Sequence, residues 1–182
     1  MKWMIASDIH GSARHCRTML ERFEEEGAER LLCLGDILYH GPRNDLPDEY
    51  APKEVISLLN PYKSVLLCVR GNCDAEVDQM VLEFPILADY AILAAGEHLI
   101  YAAHGHHASE SAPPPLCAGD ILLCGHTHIP ACVEHERFLY CNPGSVSLPK
   151  AGSCRSYMTL EGARLCWKEL DSGETYRELE LE

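Results

Sequence analysis

Apolar residues in the first half of the chain form short continuous runs that alternate with segments of helical spacing. Three runs predict buried strands, at residues 2–7, 31–34 and 64–69. The first helical segment follows Ser12, which can cap a helix, and ends at Gly27. Its apolar face consists of Cys16, Met19, Leu20 and Phe23. A second segment begins at Pro52, a residue suited to a first helical turn, and ends before Pro61.

The apolar face of this second helix is Val55, Leu58 and Leu59. A further short helix before Pro85 is predicted from Val77, Met80 and Val81. Strands and helices therefore alternate over the first half of the chain. This βαβαβ order predicts a sheet with parallel strands.

The second half of the chain consists mostly of short apolar runs separated by Gly, Pro or Asn. Two runs, 90–95 and 99–103, flank Gly96-Glu97 and predict a hairpin. Further strands are predicted at 121–124, 131–134, 138–141, 157–160, 165–169 and 176–181, and a loop at 109–118. Because neither a repeat nor a linker divides the chain, we expect one α/β (α+β) domain over residues 1–182 with two packed sheets.

Charge and cysteine content narrow the range of functions. Fifteen Lys and Arg against 28 Asp and Glu give a net charge of −13, which disfavours long nucleic acids and anionic membrane surfaces as partners. A phosphate substrate remains compatible with this charge, since bound metal ions reverse the local sign. Most of the ten cysteines are expected to be reduced and structural, which fits the cytoplasm. The polar start, with Asp8, does not resemble a signal peptide, and the longest uncharged stretch, 121–133, is too short for a membrane span.

Metal-binding residue types follow five of the predicted strands. They are Asp8 and His10, Asp36, Asn72, His104, and finally His126 and His128. The carboxyl ends of neighbouring strands in an α/β sheet meet at one crevice, so we expect these seven side chains to converge. Nitrogen and oxygen donors of these types suit divalent transition metals.

The spacing of these residues indicates a dinuclear metal site. Asp8 and His10 are two residues apart, as are His126 and His128, so each pair can hold one ion from extended backbone. Asp36 is the natural bridge between two ions. Two ions about 3.5–4 Å apart stabilise both the attacking and the leaving oxygen in a phosphoryl displacement and generate a hydroxide from bound water.

Together these motifs resemble the signature of the calcineurin-like metallophosphoesterases over nearly the whole chain. The segments around Asp8, His40-Gly41-Pro42-Arg43-Asn44, Gly71-Asn72-Cys73-Asp74 and Asn142-Pro143-Gly144-Ser145 are similar to those of the small bacterial YfcE-type phosphodiesterases. The resemblance implies a four-layer αββα sandwich of two mixed β-sheets flanked by helices. It also implies Mn²⁺-dependent phosphodiester hydrolysis at two ions.

The resemblance also implies how the ligands divide between the two ions. The first ion would take Asp8, His10, Asp36 and His128, and the second Asp36, Asn72, His104 and His126. The broad superfamily has His where this chain has Cys73. A thiol cannot supply the positive charge of an imidazolium, so we expect slower chemistry that favours diesters with good leaving groups. Cys73 is either a participant in catalysis or a space-filling residue.

Two further residues are candidates for substrate contact. Arg43 can meet a phosphate oxygen, and His106 can contact substrate or a metal ligand. The function we predict is hydrolysis of small phosphodiesters by in-line attack of a hydroxide bridging the two ions. The alternatives are a phosphomonoesterase using the same site and a non-catalytic scaffold of the same fold, as in a retromer subunit of similar size. Edge strands in the second half are compatible with a homo-oligomer.

Overall fold

Residues 1–181, which the computed structural model describes, form three α-helices, one 3₁₀ helix and eleven β-strands. The helices are α1 (Ala13–Glu25), α2 (Pro52–Leu59) and α3 (Glu76–Gln79), and the 3₁₀ helix is Asn60–Tyr62. The first five strands are β1 (Lys2–Ala6), β2 (Arg30–Cys33), β3 (Leu66–Cys68), β4 (Tyr90–Ala95) and β5 (His98–Ala103). The other six are β6 (Asp120–Cys124), β7 (Ala131–Glu134), β8 (Phe138–Asn142), β9 (Ser156–Glu161), β10 (Arg164–Glu169) and β11 (Thr175–Glu180). No helix in this range is long and apolar enough to cross a bilayer.

The strands form two mixed sheets. Sheet 1 has the order β11-β10-β9-β1-β2-β3, in which β1, β2 and β3 are parallel. Sheet 2 has the order β4-β5-β6-β8-β7, in which β5, β6 and β8 are parallel. The predicted βαβαβ order of the first half and the predicted strands of the second half are therefore confirmed, with shifts of one or two residues at their ends.

Helices α1 and α2 pack against one face of sheet 1 through the apolar residues that the sequence predicts. Ser12 caps α1, since its side-chain oxygen accepts a hydrogen bond from the backbone N–H of His15 at 3.3 Å. The predicted face of α1 is buried together with Val55 and Leu59 of α2. Each large apolar side chain buried in this way contributes roughly 1.5–3 kcal/mol.

The opposite face of sheet 1 packs against sheet 2. Ile5 of sheet 1 and Leu123 of sheet 2 belong to the apolar cluster between the sheets, as does the fully buried Trp167 of β10. The Trp167 Nε1–H also donates a hydrogen bond of 2.9 Å to the backbone carbonyl of Asn142 at the end of β8. This bond links the two sheets close to the loops that follow β6 and β8.

The short helix α3 differs from its prediction. It is a single turn, and the three residues predicted as its apolar face, Val77, Met80 and Val81, are 67%, 83% and 46% exposed. Leu82 and Phe84 enter the core below α1 and α2 instead. Gln79 closes the turn above them, because its side-chain amide donates to the carbonyls of Leu82 (3.1 Å) and Phe84 (3.0 Å).

The outer face of sheet 2 is covered without a helix in the described residues. Leu122, Cys124 and Tyr140 form a small cluster there, with Leu116 packed against it from the segment 104–119. Turns and one isolated bridge make up this segment, and the run of three prolines at 113–115 is incompatible with a helix interior. The predicted sandwich of two mixed sheets is confirmed, but its layer over sheet 2 is a loop.

Glu26, directly after α1, fastens this helix to three strands of sheet 1. Its carboxylate accepts hydrogen bonds from Lys2 of β1 (2.7 Å), Tyr157 of β9 (2.8 Å) and Lys168 of β10. Burial opposes ionisation of Glu26, but these three donors outweigh it and lower the pKa of Glu26 to about 2.

We expect Glu26→Gln to lower the free energy of unfolding by about 2 kcal/mol at neutral pH. The folded-state pKa lies below the ordinary glutamate value of 4.5, so this contribution is present above pH 4.5 and is lost as the pH falls towards about 2. Urea denaturation of both proteins at neutral pH and at progressively lower pH measures the difference. Glu25→Gln, which removes an exposed pair with Arg22, serves as the control and should cost less than about 0.5 kcal/mol. A loss that does not change with pH would contradict the assignment.

Candidate metal centre

All seven predicted ligands lie just beyond the carboxyl ends of parallel strands. Asp8 and His10 follow β1, Asp36 follows β2, Asn72 follows β3, His104 follows β5, and His126 and His128 follow β6. Sheet 1 supplies the first four of these residues and sheet 2 the other three. The structure brings all seven together where the two sheets meet.

Four of the side chains form a first group of donors around Asp8 Oδ1. This oxygen lies 3.2 Å from His128 Nε2 and 3.5 Å from His10 Nε2. His10 Nε2 lies in turn 3.2 Å from His128 Nε2 and 3.6 Å from Asp36 Oδ2. Asp8 Oδ1 is buried and makes no hydrogen bond within the described chain. A cation among these four atoms would satisfy it.

A second group of donors lies on the other side of Asp36. His104 Nε2 is 3.0 Å from Asn72 Oδ1, 3.2 Å from His126 Nδ1 and 3.5 Å from Asp36 Oδ2. The same Asp36 oxygen therefore faces both groups. Its other oxygen accepts a hydrogen bond from the backbone N–H of Cys73 at 2.8 Å, which holds Oδ2 in this shared position.

Backbone carbonyls orient three of the four imidazoles. The Nδ1 atoms of His10, His104 and His128 contact the carbonyls of Tyr39 (2.8 Å), Leu34 (2.7 Å) and Leu148 (2.6 Å), respectively. A carbonyl can only accept, so Nδ1 carries a proton and donates it, and Nε2 is the nitrogen that faces the centre. This pattern of a donated Nδ1–H behind a free Nε2 is typical of metal-ligating histidines.

The electrostatics of the centre favour positive charge. Burial opposes protonation of His104, but Asp36 and Asp8 outweigh it and raise the pKa of His104 to about 9. Asp8 has its pKa lowered well below the usual range despite complete burial, because His10 and His128 lie beside it. A group of imidazoles and carboxylates with this potential fits divalent metal ions.

Five of the seven ligands have a left-handed backbone. The φ angles are 61° at Asp8, 50° at His10, 57° at Asp36, 65° at His126 and 60° at His128. Residues other than glycine rarely adopt this conformation, which costs of order 1–3 kcal/mol each when the surroundings impose it. Backbone strain that is concentrated in one small set of residues is typical of a functional site. Sequence reasoning missed it, although Asp and His tolerate this region better than most residues.

Buried side chains behind the ligands hold the strained loops. The Asp74 carboxylate accepts hydrogen bonds from the backbone N–H groups of Asp36 (2.8 Å), Ile37 (2.9 Å) and Gly71 (2.7 Å), which joins the loops after β2 and β3. Burial raises the pKa of Asp74, and these backbone donors partly oppose that rise. Asp74 lies inside a predicted motif, but the sequence does not indicate this role.

The loops after β1 and β6 are held from the segment after β8. Ser145 and Ser147 each donate a hydrogen bond of 2.9 Å to the backbone carbonyl of Asp8. The Asn142 side-chain amide donates to the carbonyl of Gly125 at 2.8 Å and to Thr127 Oγ1 at 3.1 Å. The structure thus places the Asn142–Ser145 turn behind the ligands, where it supports them without touching the centre.

Cys73 lies at the edge of the centre as a neutral thiol. Its Sγ atom accepts a hydrogen bond from Asn72 Nδ2 at 3.2 Å and belongs to a compact group with His10 and Asp36. Burial and the neighbouring Asp36 raise the pKa of Cys73 to about 12. The chain therefore places no cation at this position, and a catalytic role for Cys73 stays a prediction.

The other two candidate residues lie in different places. A cavity of about 420 Å³ opens over the ligands and is lined by Arg43, as predicted, and also by Asn44 and Lys150. His106 lies outside this cavity, with its ring edge-on to that of His104 at 5.4 Å and next to His107. Sequence reasoning missed Lys150, because a single lysine after Pro149 carries no signal of its own.

Comparisons with known proteins find related sequences and related structures. Residues 1–164 match the calcineurin-like phosphoesterase superfamily domain. Phosphodiesterase YfcE of Escherichia coli K12 is 45% identical over 161 residues, which cover 88% of each chain. A solved structure of YfcE, described as a phosphoesterase from E. coli, superposes with a TM-score of 0.96 at 41% identity over 100% of both chains. Vps29 from Entamoeba histolytica, complexed with Zn²⁺, shares the fold over 100% of both chains with a TM-score of 0.63 and 19% identity.

We expect Gly71→Ala to weaken divalent-metal binding by about 10- to 100-fold, because the added methyl group would displace the Asp36 carboxylate from its position between the two donor groups. A Cβ atom at residue 71 would overlap the Asp36 carboxylate and backbone nitrogen. Calorimetric titration of the metal-free protein with Mn²⁺ measures the change. Gly96→Ala is the matched control, since its Cβ would meet nothing within 4 Å and only its positive φ is strained. Equal affinities in Gly71→Ala and the wild type would contradict the geometry.

Proposed function

Because the chain belongs to the calcineurin-like phosphoesterase superfamily, we propose that it hydrolyses small phosphodiesters at a centre holding two divalent metal ions. The resemblance stated from its motifs is confirmed by the family match and by the 45% identity to phosphodiesterase YfcE. The observation that carries the proposal is the placement of Asp36 Oδ2 within 3.6 Å of His10 and 3.5 Å of His104. One carboxylate oxygen thus faces two sets of donors.

The residues of the chain define how such a centre works. When bound, two divalent ions lower the pKa of a water molecule and offset the charge that develops on a phosphoryl group. Asp8, His10 and His128 hold one side of the centre and Asn72, His104 and His126 the other, with Asp36 shared between them. The loops are fixed by Asp74, Ser145 and Ser147, so the ligands need no rearrangement during the reaction. No protein nucleophile enters this proposal.

Manganese is the metal that we propose for both positions. The donors are imidazole nitrogens, carboxylate oxygens and one amide oxygen, a set that suits Mn²⁺ and other divalent transition metals. Elemental analysis of the purified protein tests both the identity and the number of ions. Two ions per chain would support the enzyme and count against a non-catalytic scaffold.

Neutral Cys73 favours diesters whose leaving groups depart without help. A thiol beside Asp36 supplies neither positive charge nor a ready proton to a departing alkoxide. Aryl and other acidic alcohols leave without that assistance. Assays with a phosphate monoester and a phosphate diester of the same phenol distinguish a phosphodiesterase from a phosphomonoesterase.

The remaining expectations concern partners and location. We propose small diesters rather than long nucleic acids, on the basis of the net charge of −13. The cytoplasm is the compartment that we propose, because the ten cysteines occur as free thiols in the described chain. A homo-oligomer is supported by the edge strand β4, on which Tyr90 and Ile92 are 52% and 50% exposed.

Asp36→Ala is expected to abolish turnover of bis-p-nitrophenyl phosphate, because it removes the oxygen shared by both donor groups. The loss should reach at least about 1000-fold in kcat/KM, or roughly 4 kcal/mol. The assay uses metal-stripped protein with and without added Mn²⁺. Glu25→Ala, on the exposed face of α1, is the control and should keep wild-type activity. Unchanged turnover in Asp36→Ala, or no restoration by metal in the wild type, would refute the proposal.

Exposed Lys150 and Arg43 are the cations of the chain that line the cavity. The backbone of Lys150 is tied to the centre, because its N–H donates to the carbonyl of the ligand His128 at 3.2 Å. We propose that both side chains contact the phosphoryl oxygens of the substrate or a neighbouring anionic group.

Lys150→Met should raise KM for a diester substrate by about tenfold, with a smaller change in kcat, since it removes one charge-assisted contact. Arg43→Met should act in the same direction. Steady-state kinetics at low and high salt measures both, and the difference should shrink as salt increases. Lys53→Met, an exposed substitution in the first turn of α2, is the charge-matched control. A KM unchanged in both cavity variants would remove these residues from substrate binding.

A further inference from the structure

Two cysteines lie directly opposite each other in the hairpin formed by β7 and β8. The register of this antiparallel pair places Cys132 against Cys141. Both side chains belong to the face between the two sheets. Cys141 is fully buried, whereas Cys132 is only partly buried.

Their position in the ladder is one that a disulfide can span. The N–H of His135 donates to the carbonyl of Phe138 at 2.9 Å, so these residues form a hydrogen-bonded pair at the end of the hairpin. Hydrogen-bonded and non-hydrogen-bonded pairs alternate along an antiparallel ladder, which makes Cys132 and Cys141 a non-hydrogen-bonded pair. The Cα atoms of such pairs are about 4.5 Å apart, inside the range of about 4.4–6.8 Å observed for disulfides.

The two thiols differ in reactivity. A hydrogen bond from the Cys141 thiol stabilises the Cys132 thiolate, and with Arg177 nearby it lowers the pKa of Cys132 to about 7. The Arg177 guanidinium donates to the carbonyl of Cys132 at 3.2 Å and lies over the ring of Trp167. Cys132 is thus the accessible nucleophile, and Cys141 is the sulfur placed to react with it next.

We propose that Cys132 and Cys141 are a redox modification site that forms a reversible disulfide when the protein meets hydrogen peroxide. The Cys132 sulfur attacks one peroxide oxygen, an S–O bond forms, the O–O bond breaks and one water leaves after protonation. The Cys141 sulfur then attacks the Cys132 sulfur, so that the S–S bond forms, the S–O bond breaks and a second water leaves. Two thiols are oxidised and one peroxide is reduced. A small thiol reductant reverses the bond by exchange.

The hairpin that this bond would close supports the metal centre. Strand β7 starts three residues after the ligand His128, and Cys141 precedes Asn142. The Asn142 side chain holds the loop of His126 and His128 through Gly125 and Thr127. The disulfide would therefore link β7 and β8 covalently next to the loop that contains His126 and His128. This inference does not depend on the proposed phosphodiesterase activity.

A second cysteine pair provides an internal comparison. Cys33 of β2 and Cys68 of β3 also lie opposite each other, but in parallel strands. Both are buried below α1 and α2, and burial raises the pKa of Cys68 well above the usual range. Adjacent sulfurs without access or thiolate character should stay reduced under mild oxidation.

Peptide mapping of the full-length protein after peroxide treatment tests the proposal. Free thiols are trapped with N-ethylmaleimide, and the protein is digested with trypsin without reduction. Cys132 falls in peptide 71–137. Peptide 138–150 contains Cys141 and no other cysteine, and Cys33 and Cys68 fall in peptides 31–43 and 64–70, respectively. We expect 71–137 linked to 138–150, with a loss of two hydrogen atoms from the intact mass, and 31–43 and 64–70 free. Dithiothreitol should reverse the change.

Variants identify the sulfurs involved. C132S should abolish the linked peptide, and C141S should abolish it while leaving a sulfenic acid on Cys132 that dimedone traps. C117S, which removes an exposed cysteine outside the hairpin, should retain the link. Peptide 71–137 also contains Cys73, Cys117 and Cys124, so fragmentation of the linked wild-type peptides assigns the bond to Cys132 even if a variant fails to fold. Both thiols labelled by N-ethylmaleimide after peroxide treatment, or a Cys33–Cys68 link formed as readily, would overturn the proposal.

Discussion

Two buried carboxylates surrounded by imidazoles organise this molecule. Asp8 and Asp36 are 0% and 2% exposed, and the groups that face their inward oxygens are the imidazoles of His10, His104 and His128 rather than a lysine or arginine. Burying such charges costs several kcal/mol each unless a counter-charge arrives. The protein supplies the geometry for that counter-charge from five loops, and the surrounding packing keeps those loops in place.

The cost of this arrangement extends into the backbone. Five ligands have positive φ angles, which the chain tolerates because buried groups hold each loop from behind. Asp74 joins the loops after β2 and β3, and the serines at 145 and 147 hold the carbonyl of Asp8. These hydrogen bonds hold the predicted ligands in fixed positions, which is what electrostatic preorganisation requires.

The sequence predicts the elements and the ligand set because both follow from local chemistry. Continuous apolar runs such as 31–34 can only be buried strands here, and polar residues at their carboxyl ends must share one edge of the sheet. The failures are all tertiary. Val77 and Met80 have the spacing of a helical face, yet Phe84 occupies the core position below them. The left-handed backbone of the predicted ligands and the position of Lys150 beside the cavity depend on contacts that no short segment encodes.

The net charge of the chain bears on the proposal that its substrate is a small diester. The chain carries 28 acidic residues against 15 basic ones, and this net negative charge disfavours binding of a long polyanion. A small diester spans little more than the cavity, where Arg43 and Lys150 are the nearest exposed charges. Repulsion beyond a Debye length of about 8 Å is largely screened. A small substrate is therefore repelled only by nearby acidic residues, whereas a polymer is repelled at many places along its length. The proposal that the substrate is a small diester therefore rests on the net charge of the chain as well as on the cavity.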